Sequence, residues 1–129
     1  MKSSKYTLTR RAESDLDELY EKSLEQFGPI QTNRFMTDLK NAAEFAADNI
    51  GKIPARAHLV GDSGLSLYPV KNHFIAYRPV AEDHIVIITI FRQSRDVAAL
   101  IAAEADRFRA DFSEIERKIK DGTISIKSR

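Results

Sequence analysis

One short segment constrains the fold more than any other, because it is apolar at almost every position. His84 to Arg92 reads HIVIITIFR, and five of its inner residues are Ile or Val. A short run rich in β-branched residues is typical of a strand that is buried on both faces. Its uncharged part, Ile85 to Phe91, is far shorter than the roughly 20 residues that span a bilayer. The sequence therefore predicts a sheet with a structural layer on each side.

The first fifty residues predict one of those layers. Lys5 to Thr9 alternates like a short strand, and Thr9 is placed to cap the helix that follows. Apolar residues then recur at helical spacing in two runs, separated by Gly28-Pro29. They are Ala12, Leu16, Leu19, Tyr20, Leu24 and Phe27 in the first run, and Phe35, Leu39, Ala42, Ala43, Ala46 and Ile50 in the second. This pattern predicts an antiparallel helix hairpin, with Asp15 and Glu18 on its wet side.

From Gly64 onward the apolar period changes to two. Residues 51–63 read as a loop, and two alternating segments follow at 64–68 and 73–78. Lys71-Asn72 is a tight turn between these segments, and residues 81–83 form another before the buried strand. Such short connections indicate an antiparallel three-strand meander. The fold class is therefore α+β.

The last part of the chain predicts a helical extension. Apolar residues recur at helical spacing from Asp96 to Lys120, and Asp121-Gly122 supplies a stop. An apolar helix face of this size either folds back on its own sheet or docks on another chain, and the first is preferred. Thr123 to Lys127 alternates like a short strand. The predicted organisation is a domain at 1–100 and, at 101–129, a helix with a short tail that is packed on the same domain or on a partner.

Composition excludes several classes of protein. The 129 residues contain no Cys, so disulfides, thiolate metal sites and thiol nucleophiles are excluded. His58, His73 and His84 lack metal-ligand spacing, so neither a metal nor a cofactor is expected. No signal peptide or membrane span is evident, which predicts a soluble, cytoplasmic protein.

Charge is unevenly distributed although its net value is only +1. Residues 12–48 carry nine acidic and three basic groups, whereas residues 49–95 carry six basic and three acidic groups. Such polarity indicates an association surface, although a tendency of helices to collect Glu explains it equally well.

Five motifs in this order resemble the RelE/ParE toxin superfamily, most closely its ParE-like branch. They are Leu8-Thr9 with Ala12-Glu13-Ser14-Asp15-Leu16, Phe27-Gly28, Gly64-Leu65-Ser66, Val70 to Arg78, and Ile90 to Asp96. The resemblance implies the toxin of a type II toxin–antitoxin module, neutralised by a cognate ParD-like antitoxin. ParE-like members poison DNA gyrase by binding it, whereas RelE-like members cleave mRNA on the ribosome.

The sequence departs from the family pattern in three places. Ser66 stands where the family often has Arg, and Arg92 stands where ParE-like chains often have His. The chain also continues about thirty residues beyond Leu100, the usual end. This extension leaves open an inactive or self-covered family member.

A ribosome-dependent, metal-independent endoribonuclease is the alternative function, with His73, Tyr77, Arg78 and Arg92 as its candidate catalytic residues. His73 supplies a group that titrates near neutrality. His73 and Tyr77 share one side of a strand and Arg78 points to the other. The other interpretation, which is preferred for His73 and Tyr77, is that these two are partly buried sheet residues while Arg78 reaches a Glu or Asp. The second helix carries only Arg34 and Lys40 as cations, which is sparse for a RelE-like enzyme.

Protein binding is the preferred function. The residues predicted to contact the antitoxin or the target are Arg56, Lys71, His73, Arg78, Arg92 and Arg95. Their charge suits an acidic protein partner. A second interpretation, weighted equally with a target contact, is that Arg95 and Asp96 pair with each other or cap the following helix. The sequence leaves open the choice between gyrase and ribosome, and between a homo- and a hetero-oligomer.

Overall fold

A computed structural model describes residues 5–54, 56–93 and 96–126. Its elements in chain order are β1 (Tyr6–Leu8), α1 (Arg10–Asp48), α2 (Ala57–Val60), β2 (Ser66–Val70), β3 (His73–Ala81), β4 (His84–Arg92) and α3 (Val97–Lys120). The predicted α+β class and the C-terminal helix are confirmed. The four-residue α2 lies within the segment that the sequence predicted to be a loop.

The four strands form one mixed sheet in the order β1-β4-β3-β2. The β2–β3 and β3–β4 pairs are antiparallel, which confirms the predicted meander. The N-terminal strand joins β4 in parallel, with Tyr6 opposite Ile85 and Leu8 opposite Ile87. This pairing places the most apolar strand between two neighbours.

Thr9 connects the start of α1 to an irregularity in β4. Its Oγ1 accepts a hydrogen bond from the Ala12 amide at 3.0 Å, which confirms the predicted cap. The same hydroxyl donates to the Ile88 carbonyl at 2.7 Å. Ile88 is the extra residue of a bulge, since Ala76 pairs with Thr89 while Tyr77 pairs with Ile87. Thr9 thus provides the donor for the carbonyl of the bulged residue.

Asp15 lies against the sheet, so its predicted place on the wet side of the helix is wrong. Its Oδ2 accepts hydrogen bonds from Thr89 Oγ1 at 2.6 Å and from the Ile90 amide at 3.0 Å. β1 ends at Leu8, so beyond Ile87 the outer edge of β4 has no neighbouring strand. The carboxylate provides the acceptor that a longer β1 would have supplied.

The helix α1 is bent into the predicted hairpin. Gly28 has φ 81° and ψ 176°, a left-handed conformation that a residue with a side chain adopts only under strain. The chain reverses there, and Lys5 Nζ lies 2.8 Å from Asp48 Oδ2 at the far end of the second arm. Tyr20 and Phe27 remain 40% and 53% exposed, which corrects their assignment to the buried stripe.

Two apolar cores lie on opposite faces of the sheet. The first joins α1 to one face through Ala12, Leu39, Ala43, Ala46, Ile75, Ile85 and Ile87, among others. The second joins α3 to the other face through Leu67, Phe74, Val86, Ile88, Ile101, Phe108 and Phe112, among others. Every residue of β4 from His84 to Ile90 is buried, as its sequence predicted.

The predicted strand at 123–127 does not form in its described part, 123–126. Gly122, at φ 84°, donates to the Ile119 carbonyl, and the Ile124 amide donates to the Lys118 carbonyl. These bonds close the end of α3, and Ile124 packs on the second core. The tail therefore caps a helix and has no strand to pair with, whereas Lys127 lies outside the described residues.

We predict that Asp15→Ala lowers the free energy of unfolding by about 1–3 kcal/mol, because it leaves the Ile90 amide without its acceptor. Denaturant unfolding of the variant measures the loss. Asp17→Ala, at an exposed position on the same helix, is the control and should change stability little. Equal losses in both variants would show that the Asp15 contacts contribute nothing specific.

Candidate functional site

The strand β3 divides the predicted site residues between the two faces of the sheet. Tyr77 belongs to the core on the α1 side. Arg78, the next residue, lies on the α3 side, where its Cζ is 4.1 Å from the ring centroid of Phe112. The opposite directions of Tyr77 and Arg78 follow the alternation expected of a strand.

A cleft of about 530 Å³ opens on the α1 side, between the two arms of the hairpin and the end of the sheet. We call it the hairpin cleft. Its charged and aromatic lining residues are Asp15, Glu18, Lys22, Phe27, Arg34, Phe35, Asp38, Lys71, His73, Phe91 and Arg92. Three predicted binding residues, Lys71, His73 and Arg92, therefore lie together.

Two of the four cations in the hairpin cleft have a nearby carboxylate. Lys71 Nζ lies 3.6 Å from Asp38 Oδ2, and Lys22 Nζ lies 3.9 Å from Glu18 Oε2. Within the described part of the chain, no ion pair involves Arg34 or Arg92. Two guanidinium groups in the cleft can therefore receive carboxylates from outside the molecule.

His73 is half-buried at the inner side of the hairpin cleft. Its ring centroid lies 5.5 Å from that of Phe35, and its Nδ1 is buried with no hydrogen-bond partner among the described residues. Burial lowers the pKa of His73 below its usual 6.5, and the positive charge of Arg92 lowers it further. The imidazole is therefore neutral at neutral pH.

The candidate catalytic residues are not brought to one place. The Tyr77 side chain is only 3% exposed, and burial raises its pKa although the Ser66 side chain opposes the change. Arg78 lies on the other face, and it contacts an aromatic ring where the sequence had suggested a carboxylate. Only His73 and Arg92 of that set share the hairpin cleft.

The remaining predicted contact residues lie elsewhere. Arg56 is on the α3 side, with its Cζ 5.5 Å from the ring centroid of Phe74. Arg95 lies outside the described residues. The predicted basic side is therefore divided into a cleft group and an α3-side group.

Sequence reasoning missed two arginines. Arg34 directly precedes Phe35, which belongs to the apolar stripe of the second arm. A charged residue next to such a stripe is expected at the edge of the helix interface, so the sequence did contain a signal for its position. Arg11 contacts Asp111, a residue 100 positions away, and no local pattern indicates such a pairing.

Comparison with known proteins identifies the family. A family model described as the ParE toxin of the type II toxin–antitoxin system parDE matches residues 6–97. The chain belongs to the ParE toxin family. This result confirms the ParE-like resemblance that the sequence motifs suggested.

A solved structure shares the fold at low sequence identity. A chain of the chromosomal ParDE toxin–antitoxin system from P. aeruginosa aligns with a TM-score of 0.56 and 21% identity, covering 71% of this chain and 100% of that one. No curated protein matches.

The family match ends at Val97, the first residue of α3. Most of α3 and the tail therefore lie outside the matched region, while the domain division at residue 100 stays a prediction. In the described ranges, no helix is long and apolar enough to cross a membrane. The same ranges contain no group of three or more His, Asp or Glu side chains arranged to hold a metal ion.

We predict that Arg92→Gln raises the pKa of His73 but leaves it below 6.5, because burial is the larger cause of its lowering. NMR titration of the His73 ring protons measures the change. Arg34→Gln removes a positive charge from the same cleft, but Arg34 is not one of the groups that lower the pKa of His73. This variant should therefore leave that pKa unchanged.

The same shift has a consequence for stability. The unfolded chain binds the His73 proton more readily than the folded chain, so His73 disfavours folding as pH falls below about 6.5.

In the NMR titration, an unchanged His73 pKa in Arg92→Gln, or an equal change in Arg34→Gln, would contradict the assigned electrostatic cause.

Proposed function

We propose that this ParE-family chain is the toxin of a type II toxin–antitoxin module and inhibits growth by binding DNA gyrase. A cognate antitoxin neutralises it, and the pair acts in the cytoplasm. Family membership over residues 6–97 supports the toxin role. Tyr77 and Arg78 lie on opposite faces of the sheet, and this separation is the main support for binding rather than catalysis.

Cleavage of RNA without a metal requires a base, an acid and cations around one phosphate group. His73 is neutral and could accept a proton, and Arg92 lies in the same cleft. Tyr77, however, is nearly inaccessible, and Arg78 is on the far side of the sheet. Neither predicted partner of His73 can therefore act on the same phosphate group, which favours binding over cleavage.

The hairpin cleft is suited to a partner segment that is acidic and partly apolar. Arg34 and Arg92 offer guanidinium groups that accept carboxylates in bidentate geometry. Phe27 lines the same cleft and is half exposed, which gives an apolar surface for an anchoring side chain. We assign the contact with the antitoxin to this cleft.

Controlled induction of the full chain in a bacterial host, followed by viable counts, tests the toxin role. We expect a sharp loss of colonies that co-expression of the cognate ParD-like antitoxin reverses. Purified chain should inhibit supercoiling by gyrase. Growth inhibition with normal supercoiling would contradict the gyrase target.

The alternative ribosome-dependent endoribonuclease has a distinct outcome. Cleaved mRNA in a translating extract, lost in both His73→Ala and Arg78→Ala, would favour catalysis over binding. Intact mRNA together with inhibited supercoiling would exclude it.

We predict that Arg34→Glu combined with Arg92→Glu weakens antitoxin binding by about tenfold or more, because two attractive contacts become repulsive. Isothermal titration of the purified toxin with its antitoxin measures the change. Lys52→Glu reverses an exposed charge in the loop after α1 and is the control. The loss of binding free energy is compared per reversed charge. If Lys52→Glu loses as much per charge as the double variant, general electrostatic attraction explains the effect and the assigned contact is wrong.

A further inference from the structure

The helix α3 covers a sheet face that is otherwise apolar. Six residues on this face are each at most 7% exposed: Leu65, Leu67, Phe74, Ala76, Val86 and Ile88. The residues of α3 buried against it are Val97, Ile101, Phe108, Phe112 and Ile115. Without α3, this face would be a contiguous apolar surface of the kind that marks protein interaction sites.

Two arginines belong to this face and lack carboxylate partners. Arg78 lies against the Phe112 ring, and its guanidinium also lies beside Gly64, where a Cβ atom would be in ordinary van der Waals contact with its Cζ at 3.5 Å. Arg56 lies over Phe74, and its Nε is buried with no hydrogen-bond partner among the described residues. In the described part of the chain, neither guanidinium forms an ion pair. The face is therefore both apolar and basic.

A third arginine at the edge of this face receives its carboxylates from α3. Arg11 Nε lies 3.1 Å from Asp111 Oδ2. One of its terminal nitrogens lies 4.0 Å from Glu104 Oε1, which is closer, at 3.5 Å, to Arg107 of α3 itself. Its Cζ also lies 5.5 Å from the ring centroid of Phe108. Toward the sheet and α1, α3 thus presents aromatic rings together with acidic groups.

The outer side of α3 has a different pattern. Its charged residues pair along the helix itself, as in Arg109 with Asp106. Such pairs are typical of a solvated helix face. The acidic and aromatic inner side is therefore the only part of the described α3 that is complementary to the basic, apolar face.

We infer that α3 is an intramolecular occupant of a docking face that accepts an acidic amphipathic helix of a partner protein, and that Arg11 holds this cover closed. Most of α3 lies outside the family match, so the helix is an addition to the matched region. A protein helix is favoured over a nucleic acid because the centre of the face is aliphatic and aromatic, with its arginines at the margin. The docking face is argued from this geometry, whereas an effect on growth rests on the proposed toxin function.

The full chain with Glu104→Arg and Asp111→Arg tests this inference, because both changes lie on α3 and leave the face intact. Two repulsive pairs with Arg11 should speed hydrogen exchange of the α3 amides by about tenfold or more. Adding Arg11→Glu to this variant restores opposite charges and should restore slow exchange. Asp106→Arg, at an exposed position on the outer side of α3, is the control and should leave exchange unchanged.

A fluorescent peptide with the sequence of residues 96–121 is the probe of the docking face. The tethered α3 has an effective concentration on the order of millimolar, so micromolar peptide should not bind the parent chain. The peptide should bind the Glu104→Arg, Asp111→Arg variant at a concentration about tenfold lower than the parent chain requires, because the variant weakens only the tethered helix. A scrambled peptide and a single-stranded RNA oligonucleotide should not bind either chain.

Three results would overturn the inference: slow exchange in the opened variant, fast exchange without peptide binding, or equal binding of the scrambled peptide or RNA. Growth assays separate this question from the toxin role. Stronger inhibition by the opened variant than by the parent supports a masked target surface, and equal inhibition contradicts it. If neither chain inhibits growth, the proposed toxin function fails, while the peptide result still decides the docking face.

Discussion

The burial of β4 on both faces is the constraint on which the rest of the structure depends. From His84 to Ile90 no side chain on either face reaches solvent to any large extent, so each face needs a complete layer. The hairpin of α1 supplies one layer and α3 supplies the other. Only the first lies within the region that matches the ParE family. The chain has thus completed a family fold with an element from outside the matched region.

Local patterns predicted the elements well because their causes are local. The Gly28 turn, the Thr9 cap and the alternation in β3 depend on residues within a few positions. The parallel pairing of β1 and the Asp15 contact with β4 join residues more than 70 positions apart, and no periodicity encodes them. The predicted tail strand shows the converse, since Thr123 to Ser125 alternates well but meets no strand edge. Alternation predicts a strand only where a ladder partner exists.

The sequence predicted some of the residues that line the hairpin cleft, but it did not predict how the helices would be placed around the candidate residues. Alternation correctly separated Tyr77 from Arg78, yet it could not show that α3 would lie over Arg78. Nor could it show that Arg34, from the hairpin, would share a cleft with Arg92. Charge that looked like one basic side is instead divided between an open cleft and a covered face. The cations of the cleft and those of the covered face are therefore different residues.

The position of α3 after β4 in the chain also sets an order in time. Synthesis proceeds from the N-terminus, so β4 emerges before the helix that covers it, and the 28 residues between Arg92 and Lys120 take roughly 1–6 s at about 5–20 residues per second. During that interval a nascent chain has a nearly complete sheet with one bare side. Every molecule therefore passes once through an uncovered stage, whatever its later fate.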